Sequence, residues 1–284
     1  MQLGITMYTY QRYLDNCVMT MPEAIADAAD AGFRQVDFID LAPPEGVPIL
    51  DYAGQIREIC RSHGLTITSN TVHADFMNGC GGDAAKEAAR VKGVLDVAAA
   101  LGAKLFRHDA AWEYRAGRGN YKEAAKKIAP YIREVAEYGQ SLGIKTMCEN
   151  HGRYFQDSCR MEYLVEEVDH PNFGLLVDLG NFMCADEDPV AAVSRLACYA
   201  FHVHAKDFLL KDAAHSCPGD GWFPTRAGRW LRGTIVGHGV VPVRECVNIL
   251  KNSGYDGCLC MEFEGLEDPR DAARAGYAYL NGLL

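Results

Sequence analysis

The sequence predicts a single (β/α)8 barrel, in which eight parallel strands alternate with eight helices. Short apolar segments alternate with longer alanine-rich segments along the whole chain, and no change of composition marks a domain boundary. At about 150 residues per domain, the length of 284 residues allows either one or two domains. A single barrel needs about 250 residues. We therefore expect residues 1–284 to form one barrel domain with a long insertion after strand 7.

The predicted strands are short and apolar on both faces, which is typical of buried parallel strands. In chain order they are Leu3–Met7, Gln35–Ile39, Thr66–Thr71, Lys104–Arg107, Ile144–Cys148, Gly174–Val177, Ala200–Val203 and Gly257–Met261. The predicted helices are Pro22–Ala31, Asp51–His63, Ala84–Leu101, Tyr121–Leu142, Met161–Val168, Pro189–Ala197, Pro242–Asn252 and Pro269–Leu283. Three helices pass into the next strand through a glycine, at Gly64, Gly102 and Gly143, as αβ turns do. A doubly wound sheet is the rival fold, but no G-x-G-x-x-G follows the first strand.

Composition and charge exclude several classes of function. Lys and Arg number 28 against 38 Asp and Glu, a net charge of −10, whereas a nucleic-acid binder needs a basic surface. No apolar run is long enough to predict a membrane span, and the first residues lack the pattern of a secretion signal. The 11 cysteines are irregularly spaced without paired C-x-x-C clusters, so we expect free thiols in a reducing cytoplasm.

Four consecutive predicted strands are each followed by an ionisable side chain: Glu149, Asp178, His204 and Glu262. Taken singly, each is equally well a helix cap or a solvated loop residue. Together they point at the C-terminal mouth, where barrel enzymes build their sites, and three carboxylates repel one another unless a cation joins them. The set is typical of a site for one divalent metal ion, with Mn2+ expected first and Mg2+, Co2+ or Zn2+ as alternatives.

Further polar side chains near the same mouth are candidate substrate-binding residues: Tyr8, His73, His108, His151, Asn181 and Lys206. A lone histidine more often has a structural role, so the role of each of these histidines stays open. His151 and Asn181 could instead orient the metal ligands. The Lys206 ammonium, two residues past His204, can reach a substrate oxygen. His202 shares the strand parity of His204, and we expect it to pack inside the barrel.

The connection after strand 7, residues 205–241, is unusually long, and such loops in compact domains are usually functional. Arg226 lies there among other arginine and tryptophan residues. Such residues over a barrel mouth suit a sugar or a phosphate and equally suit a subunit interface. Arg226 is therefore a candidate for substrate binding, and both interpretations of the loop stay open.

The motifs at the strand ends resemble those of the xylose-isomerase-like TIM-barrel family, over essentially the whole chain. They are E-N-H from Glu149, D-x-x-N from Asp178, H-x-K-D from His204 and M-E-F around Glu262. The family includes sugar isomerases and epimerases, hydroxypyruvate isomerase and inosose dehydratase. The resemblance implies that these four residues hold the metal ion and that Glu149 and Glu262 also transfer protons. It further implies a dimer or tetramer, either a homo-oligomer or a hetero-oligomer.

Two other barrel families fit less well. The resemblance to the related endonuclease branch would imply a three-metal site with many more histidine ligands. It would also imply a DNA-binding surface, which disagrees with the net charge of −10 of this chain. The amidohydrolases place H-x-H after strand 1, whereas His202 and His204 belong to strand 7 here.

Three hypotheses for function follow. The first is metal-dependent isomerisation or epimerisation of a sugar or keto-sugar, in which a glutamate removes the proton next to a carbonyl and a metal-held enediolate is reprotonated. The second is a lyase or dehydratase on an inosose or a 3-keto-glycoside, where the same enolate expels a β-substituent. The third is a non-catalytic interaction subunit, which the intact ligand set disfavours. The four-residue pattern does not separate the first hypothesis from the second.

Overall fold

The computed structural model describes residues 1–112, 120–214 and 216–284. Within these ranges its strands are β1 (Gln2–Thr6), β2 (Gln35–Ile39), β3 (Thr66–Val72), β4 (Leu105–His108), β5 (Lys145–Glu149), β6 (Phe173–Asp178), β7 (Ala200–Ala205), β8 (Asp207–Lys211), β9 (Phe223–Pro224), β10 (Trp230–Thr234) and β11 (Cys258–Met261). Eight of them close into a barrel in the order β1-β11-β7-β6-β5-β4-β3-β2, with parallel neighbours throughout. The predicted (β/α)8 fold class is confirmed.

The described helices are α1 (Gln11–Asp15), α2 (Met21–Asp30), α3 (Ile49–Ser62), α4 (Gly79–Gly82), α5 (Ala84–Leu101), α6 (Tyr121–Ser141), α7 (Ser158–Val168), α8 (Asn181–Cys184), α9 (Pro189–Leu196), α10 (Val243–Asn252) and α11 (Pro269–Asn281). The predicted helices correspond to α2, α3, α5, α6, α7, α9, α10 and α11, which alternate with the barrel strands along the chain. None of the helices in the described ranges has both the length and the apolar character that a membrane span requires.

Local sequence signals determine where these helices begin and end. Thr20 and Glu23 form a reciprocal capping box at the start of α2, which satisfies amide groups that a helix start otherwise leaves without a partner. At the other ends, Gly64, Gly102 and Gly143 have φ angles of +69°, +80° and +71°. This left-handed conformation costs most other residues about 1 kcal/mol. The glycines therefore end α3, α5 and α6 and direct the chain into the next barrel strand.

The two buried faces of a barrel strand differ in chemistry. Val36 and Phe38 of β2 are completely buried in the apolar core. Asp37 between them is also completely buried, but it contacts His202 and His204 of β7. Because side chains alternate between the faces of a strand, Asp37 points into the barrel while its neighbours point toward the helices. Closure of the barrel thus brings together polar groups that are far apart in the sequence.

The connection between β7 and α10 has secondary structure of its own. The sequence predicts a loop over residues 205–241, but β8, β9 and β10 form an antiparallel sheet there in the order β8-β10-β9. Their apolar runs are too short to stand out in the sequence. Asp207 joins the two ends of this insertion, because its Oδ2 accepts hydrogen bonds of 2.9 Å from the amides of Gly237 and Gly239. Its Oδ1 accepts a bond of 3.0 Å from the amide of Val241.

Replacing Asp207 by alanine is expected to lower the free energy of unfolding by about 3 kcal/mol, because amides of the insertion lose a charged acceptor. Urea denaturation measures this loss. Asp212→Ala, which removes an exposed carboxylate from the same insertion, is the matched control and should cost less than about 0.5 kcal/mol. Equal losses in the two variants would contradict the anchoring role of Asp207.

Candidate metal centre

Four strands that are neighbours in the barrel wall bring ionisable side chains to the same rim. Glu149 ends β5, Asp178 ends β6, His204 lies near the end of β7, and Glu262 directly follows β11. All four residues are buried, and one ligand atom from each lies within 4.8 Å of those of the others. We call these four residues the rim cluster. The structure therefore brings together the four residues that the sequence proposes as metal ligands.

Buried ligand atoms that form no hydrogen bond to the described residues make the rim cluster suitable for a cation. Asp178 Oδ2, His204 Nδ1 and Glu262 Oε2 are buried and form no hydrogen bond to the described residues. Buried polar atoms are seldom left in this state. Carboxylate oxygens combined with an imidazole nitrogen are ligands that Mn2+, Mg2+ and Zn2+ accept. The residues of the rim cluster thus fit one divalent ion, which would give Asp178 Oδ2 and His204 Nδ1 a partner and would bind Glu262 Oε2 beside its ion pair with Lys206.

The charges within the rim cluster favour the same conclusion. Burial raises the pKa of Asp178 to about 8, and the nearby carboxylates of Glu262 and Glu149 act in the same direction. The ammonium of Lys206 lowers this pKa but does not compensate for the other effects. Burial and neighbouring carboxylates therefore disfavour the charged form of Asp178, and a further cation at the rim cluster would stabilise that form.

Lys206 lies directly beside the rim cluster. Its Nζ forms an ion pair of 2.6 Å with Glu262 Oε2 and lies 3.6 Å from Asp178 Oδ2. It also donates a hydrogen bond of 3.2 Å to Glu264. Burial alone would lower the pKa of Lys206, but the carboxylates raise it well above its ordinary value. Lys206 is therefore a fixed positive charge at the mouth, within reach of a ligand that enters the cluster.

Both oxygens of Glu149 are held in place. Oε2 forms a 2.5 Å ion pair with Arg107, and Oε1 accepts a 2.9 Å hydrogen bond from Asn181. Burial would lower the pKa of Arg107, but Asp109 and Glu149 hold it above its ordinary value, so the guanidinium stays charged. Arg107 is not among the predicted site residues, because those follow the predicted strands and Arg107 is the last residue of the fourth, Lys104–Arg107. Its alternation with Phe106 and His108 was the available signal, since an arginine inside a buried strand needs an acid partner.

A further buried carboxylate, Asp109, orients two histidines at the mouth. Its Oδ2 lies 2.8 Å from His73 Nδ1 and its Oδ1 lies 2.9 Å from His151 Nδ1. The hydrogen bond to Asp109 raises the pKa of His73. At His151 burial acts to lower the pKa, but the charge of Asp109 outweighs it and the pKa is raised. We call these three residues the aspartate–histidine cluster. Trp112 packs edge-on against both imidazoles.

The prediction that His108 faces the mouth is wrong. His108 is completely buried and its imidazole packs against the rings of Phe76, Phe106 and Phe173. Burial lowers the pKa of His108 to about 4, so the ring is neutral at physiological pH. Strand alternation explains the error, because Arg107 and Asp109 point into the barrel and the residue between them points toward the helices.

A cleft of about 490 Å3 opens beside the rim cluster. Asn181 and His151 line it, and these residues contact Glu149 and Asp109 respectively. Arg226 also lines the cleft. The predicted substrate-binding residues other than His108 therefore lie at or near one mouth, and their roles stay predictions.

Two of those residues have protein partners of their own. Arg226 forms an ion pair of 2.9 Å with Asp157, which ties the insertion to the loop after β5. Tyr8 lines an adjoining recess together with Glu264. Burial and the charge of Glu264 raise the pKa of Tyr8 to about 12, so its hydroxyl stays protonated and can donate a hydrogen bond.

Comparison with known proteins identifies the family. A family model described as xylose isomerase-like TIM barrel matches residues 25–283. This chain belongs to that family. The resemblance to this family that the strand-end motifs indicate is therefore confirmed.

The proteins that this chain is similar to have different names and activities. Inosose dehydratase 2 of Bacillus cereus is 24% identical over 219 residues, which cover 75% of this chain and 67% of that protein. Among solved structures, the IOLI protein with a bound zinc atom has a TM-score of 0.78 at 15% identity and covers 100% of this chain and 98% of its own. L-ribulose 3-epimerase has a TM-score of 0.75 at 16% identity, covering 100% and 94%. At these identities the structural likeness shows the fold alone.

Asp178→Asn is expected to weaken the binding of Mn2+ by about 100-fold or more, because losing a ligand should cost at least as much as losing an outer partner. Isothermal titration calorimetry measures the affinity. Glu166→Gln on α7, which removes an exposed carboxylate, is the control and should bind like the unchanged protein. Unaltered affinity in Asp178→Asn would contradict the assignment of Asp178 as a ligand.

Asp109→Asn is expected to lower the pKa of His73, because the hydrogen bond to the carboxylate is the main cause of its rise. An NMR titration of the imidazole Cε1 protons measures this shift. The exposed carboxylate of Asp40 interacts with His73 through its charge, so Asp40→Asn is the matched control. A His73 pKa that falls equally in both variants would argue against the aspartate–histidine cluster.

Proposed function

We propose that this protein is a divalent-metal-dependent enzyme that isomerises or epimerises a sugar or keto-sugar. One observation carries the proposal. Glu149 and Glu262 come from β5 and β11, and the strands that provide Asp178 and His204 lie between them in the barrel wall. The two glutamates therefore flank the rim cluster, as two proton-transfer groups must when they act on different sides of one bound substrate.

The metal proposal rests on the donor set and charge of the rim cluster. Glu149, Asp178, His204 and Glu262 would hold one divalent ion, and we expect Mn2+ first, with Mg2+, Co2+ and Zn2+ as alternatives. A bound divalent ion would polarise a carbonyl oxygen and acidify the neighbouring C–H bond. The zinc atom in the IOLI protein supports a metal site in this fold, and it does not specify the ion used here.

Proton transfer would be carried out by side chains of this chain. One of Glu149 and Glu262, as its carboxylate, removes the proton next to the carbonyl, and the other glutamate in its protonated form, or a histidine, gives a proton to the same or the adjacent carbon. Return to the opposite face gives an epimer, and return to the adjacent carbon gives the aldose–ketose isomer. Arg107 and Asn181 fix the orientation of Glu149, while Lys206 places a positive charge beside Glu262.

A second candidate is elimination of a hydroxyl or glycosyl group from an inosose or a 3-keto-glycoside. The aspartate–histidine cluster favours it, because imidazoles held by a carboxylate can donate a proton to a leaving oxygen. The likeness to inosose dehydratase 2 of Bacillus cereus points in the same direction. Both candidates begin with removal of a proton next to a carbonyl and differ only in what leaves afterwards.

Deuterium exchange separates the two candidates. The Mn2+-loaded protein is incubated in D2O with a panel of ketoses, inososes and 3-keto-glucosides and followed by NMR. Deuterium at a carbon next to the carbonyl, without loss of water or aglycone, supports isomerisation or epimerisation. Loss of a group supports elimination. Absence of exchange on the whole panel would reject proton abstraction next to a carbonyl.

Glu149→Gln and Glu262→Gln are each expected to slow deuterium incorporation by about 10²- to 10⁴-fold, because each removes a proton-transfer group. Glutamine also weakens ion binding, so the rates are compared at metal concentrations that saturate each variant. Glu166→Gln, whose carboxylate lies on the surface of α7, is the control and should exchange at the unchanged rate. Full metal-dependent turnover in either rim variant would rule out the two-glutamate mechanism.

A further inference from the structure

A buried carboxylate on the far side of the barrel interior contacts a residue of the rim cluster. Asp37 belongs to β2, whereas its partners His202 and His204 belong to β7, which is separated from β2 by β1 and β11 in the barrel order. Asp37 Oδ2 lies 2.6 Å from His202 Nε2 and 3.0 Å from His204 Nε2. The other oxygen, Oδ1, accepts a hydrogen bond from the hydroxyl of Thr68.

These contacts determine which nitrogen of His204 can face the rim cluster. A carboxylate only accepts hydrogen bonds, so the imidazole nitrogen that faces Asp37 must carry a proton. That nitrogen is Nε2. The opposite nitrogen, Nδ1, lies 3.4 Å from Glu262 Oε2 and has no hydrogen-bond partner among the described residues. Asp37 therefore directs Nδ1 of His204 toward the other three members of the rim cluster.

We propose that Asp37 is a positioning residue for the metal ion, which fixes the tautomer and orientation of His204 so that Nδ1 is the ligand atom. The inference rests on the metal site of the proposed function and extends it to a residue outside the rim cluster. Histidine ligands commonly donate their second N–H to a carboxylate, which orients the ring and strengthens it as a ligand. Neither the strand-end pattern nor the motifs point to Asp37.

His202 holds the carboxylate of Asp37 in place through a second contact. Its shorter contact with the same oxygen of Asp37 and its complete burial fix where the carboxylate lies. The sequence expects His202 inside the barrel, and its position next to Asp37 agrees with that expectation. His202 itself lies outside the rim cluster and offers it no ligand atom.

The same atoms could instead form a second metal site. Asp37, His202, His204 and Cys260 also have ligand atoms within 4.8 Å of one another. However, an ion at that place would replace both hydrogen bonds to Asp37 and would use His204 Nε2 as its ligand. The observed contacts are those of an orienting carboxylate, and the two arrangements predict different numbers of bound ions.

Metal titration of matched variants tests the inference. Asp37→Asn keeps the volume but removes the charge, and it is expected to raise the dissociation constant for Mn2+ by about 10- to 100-fold at a stoichiometry of one. Asp40→Asn removes an exposed carboxylate that follows the same strand and should leave the affinity unchanged. Cys260→Ala should also leave the stoichiometry at one. Two ions in the unchanged protein, with one lost in Cys260→Ala, would overturn the inference in favour of a second metal site.

A measurement on the unchanged protein makes the test independent of how Asp37→Asn folds. Long-range 1H–15N NMR of protein labelled at its 9 histidines and loaded with Zn2+ identifies the protonated nitrogen of each ring, and His204→Gln assigns the signal. We expect His204 to keep its proton on Nε2 and to bind through Nδ1. Binding through Nε2 would contradict the positioning role.

The outcomes also separate this inference from the proposed function. If the unchanged protein binds none of the divalent ions, the proposed function fails and the inference fails with it. If the unchanged protein binds one ion and Asp37→Asn binds it equally tightly, only the inference fails. Weaker binding in Asp37→Asn with an unchanged thermal midpoint supports both.

Discussion

Carboxylates buried together at one rim of a barrel repel one another unless cations lie among them, and this constraint organises the C-terminal mouth of the protein. Closure of the parallel strands brings Glu149, Asp178 and Glu262 together. Arg107 and Lys206 neutralise part of this charge from within the chain. The repulsion among these carboxylates, and the ligand atoms of Asp178 and His204 that form no hydrogen bond to the described residues, explain why the site suits a divalent ion.

Arg107 joins two regions of the mouth that otherwise have separate chemistry. Its guanidinium contacts Glu149 of the rim cluster and Asp109 of the aspartate–histidine cluster. One buried cation therefore holds both a proposed base and the carboxylate that orients two imidazoles. This arrangement places the proposed base Glu149 and the imidazoles of the aspartate–histidine cluster beside the same buried guanidinium.

The sequence predicted the barrel and the rim cluster because both follow from local patterns. A barrel strand is recognised by its own apolar residues, and a residue directly after it must lie at the rim. Arg107, Asp109 and Asp37 could not be found in this way, since their roles depend on which strands meet across the barrel interior. His108 was misplaced for a related reason, because a strand end alone does not show which side chain points inward. The strands of the insertion lack the continuous apolar runs of the barrel strands, since β9 has only two residues and β10 contains Arg232 and Gly233.

Anomalous diffraction from crystals of the Mn2+-loaded protein tests the central claim most directly, since it locates the ion without reference to activity. The account predicts one strong manganese peak, bounded by carboxylate oxygens of Glu149, Asp178 and Glu262 and by Nδ1 of His204, at about 2.0–2.3 Å from its ligands. No peak at the rim cluster, or a peak bounded by Asp37, His202 and Cys260 instead, would contradict it.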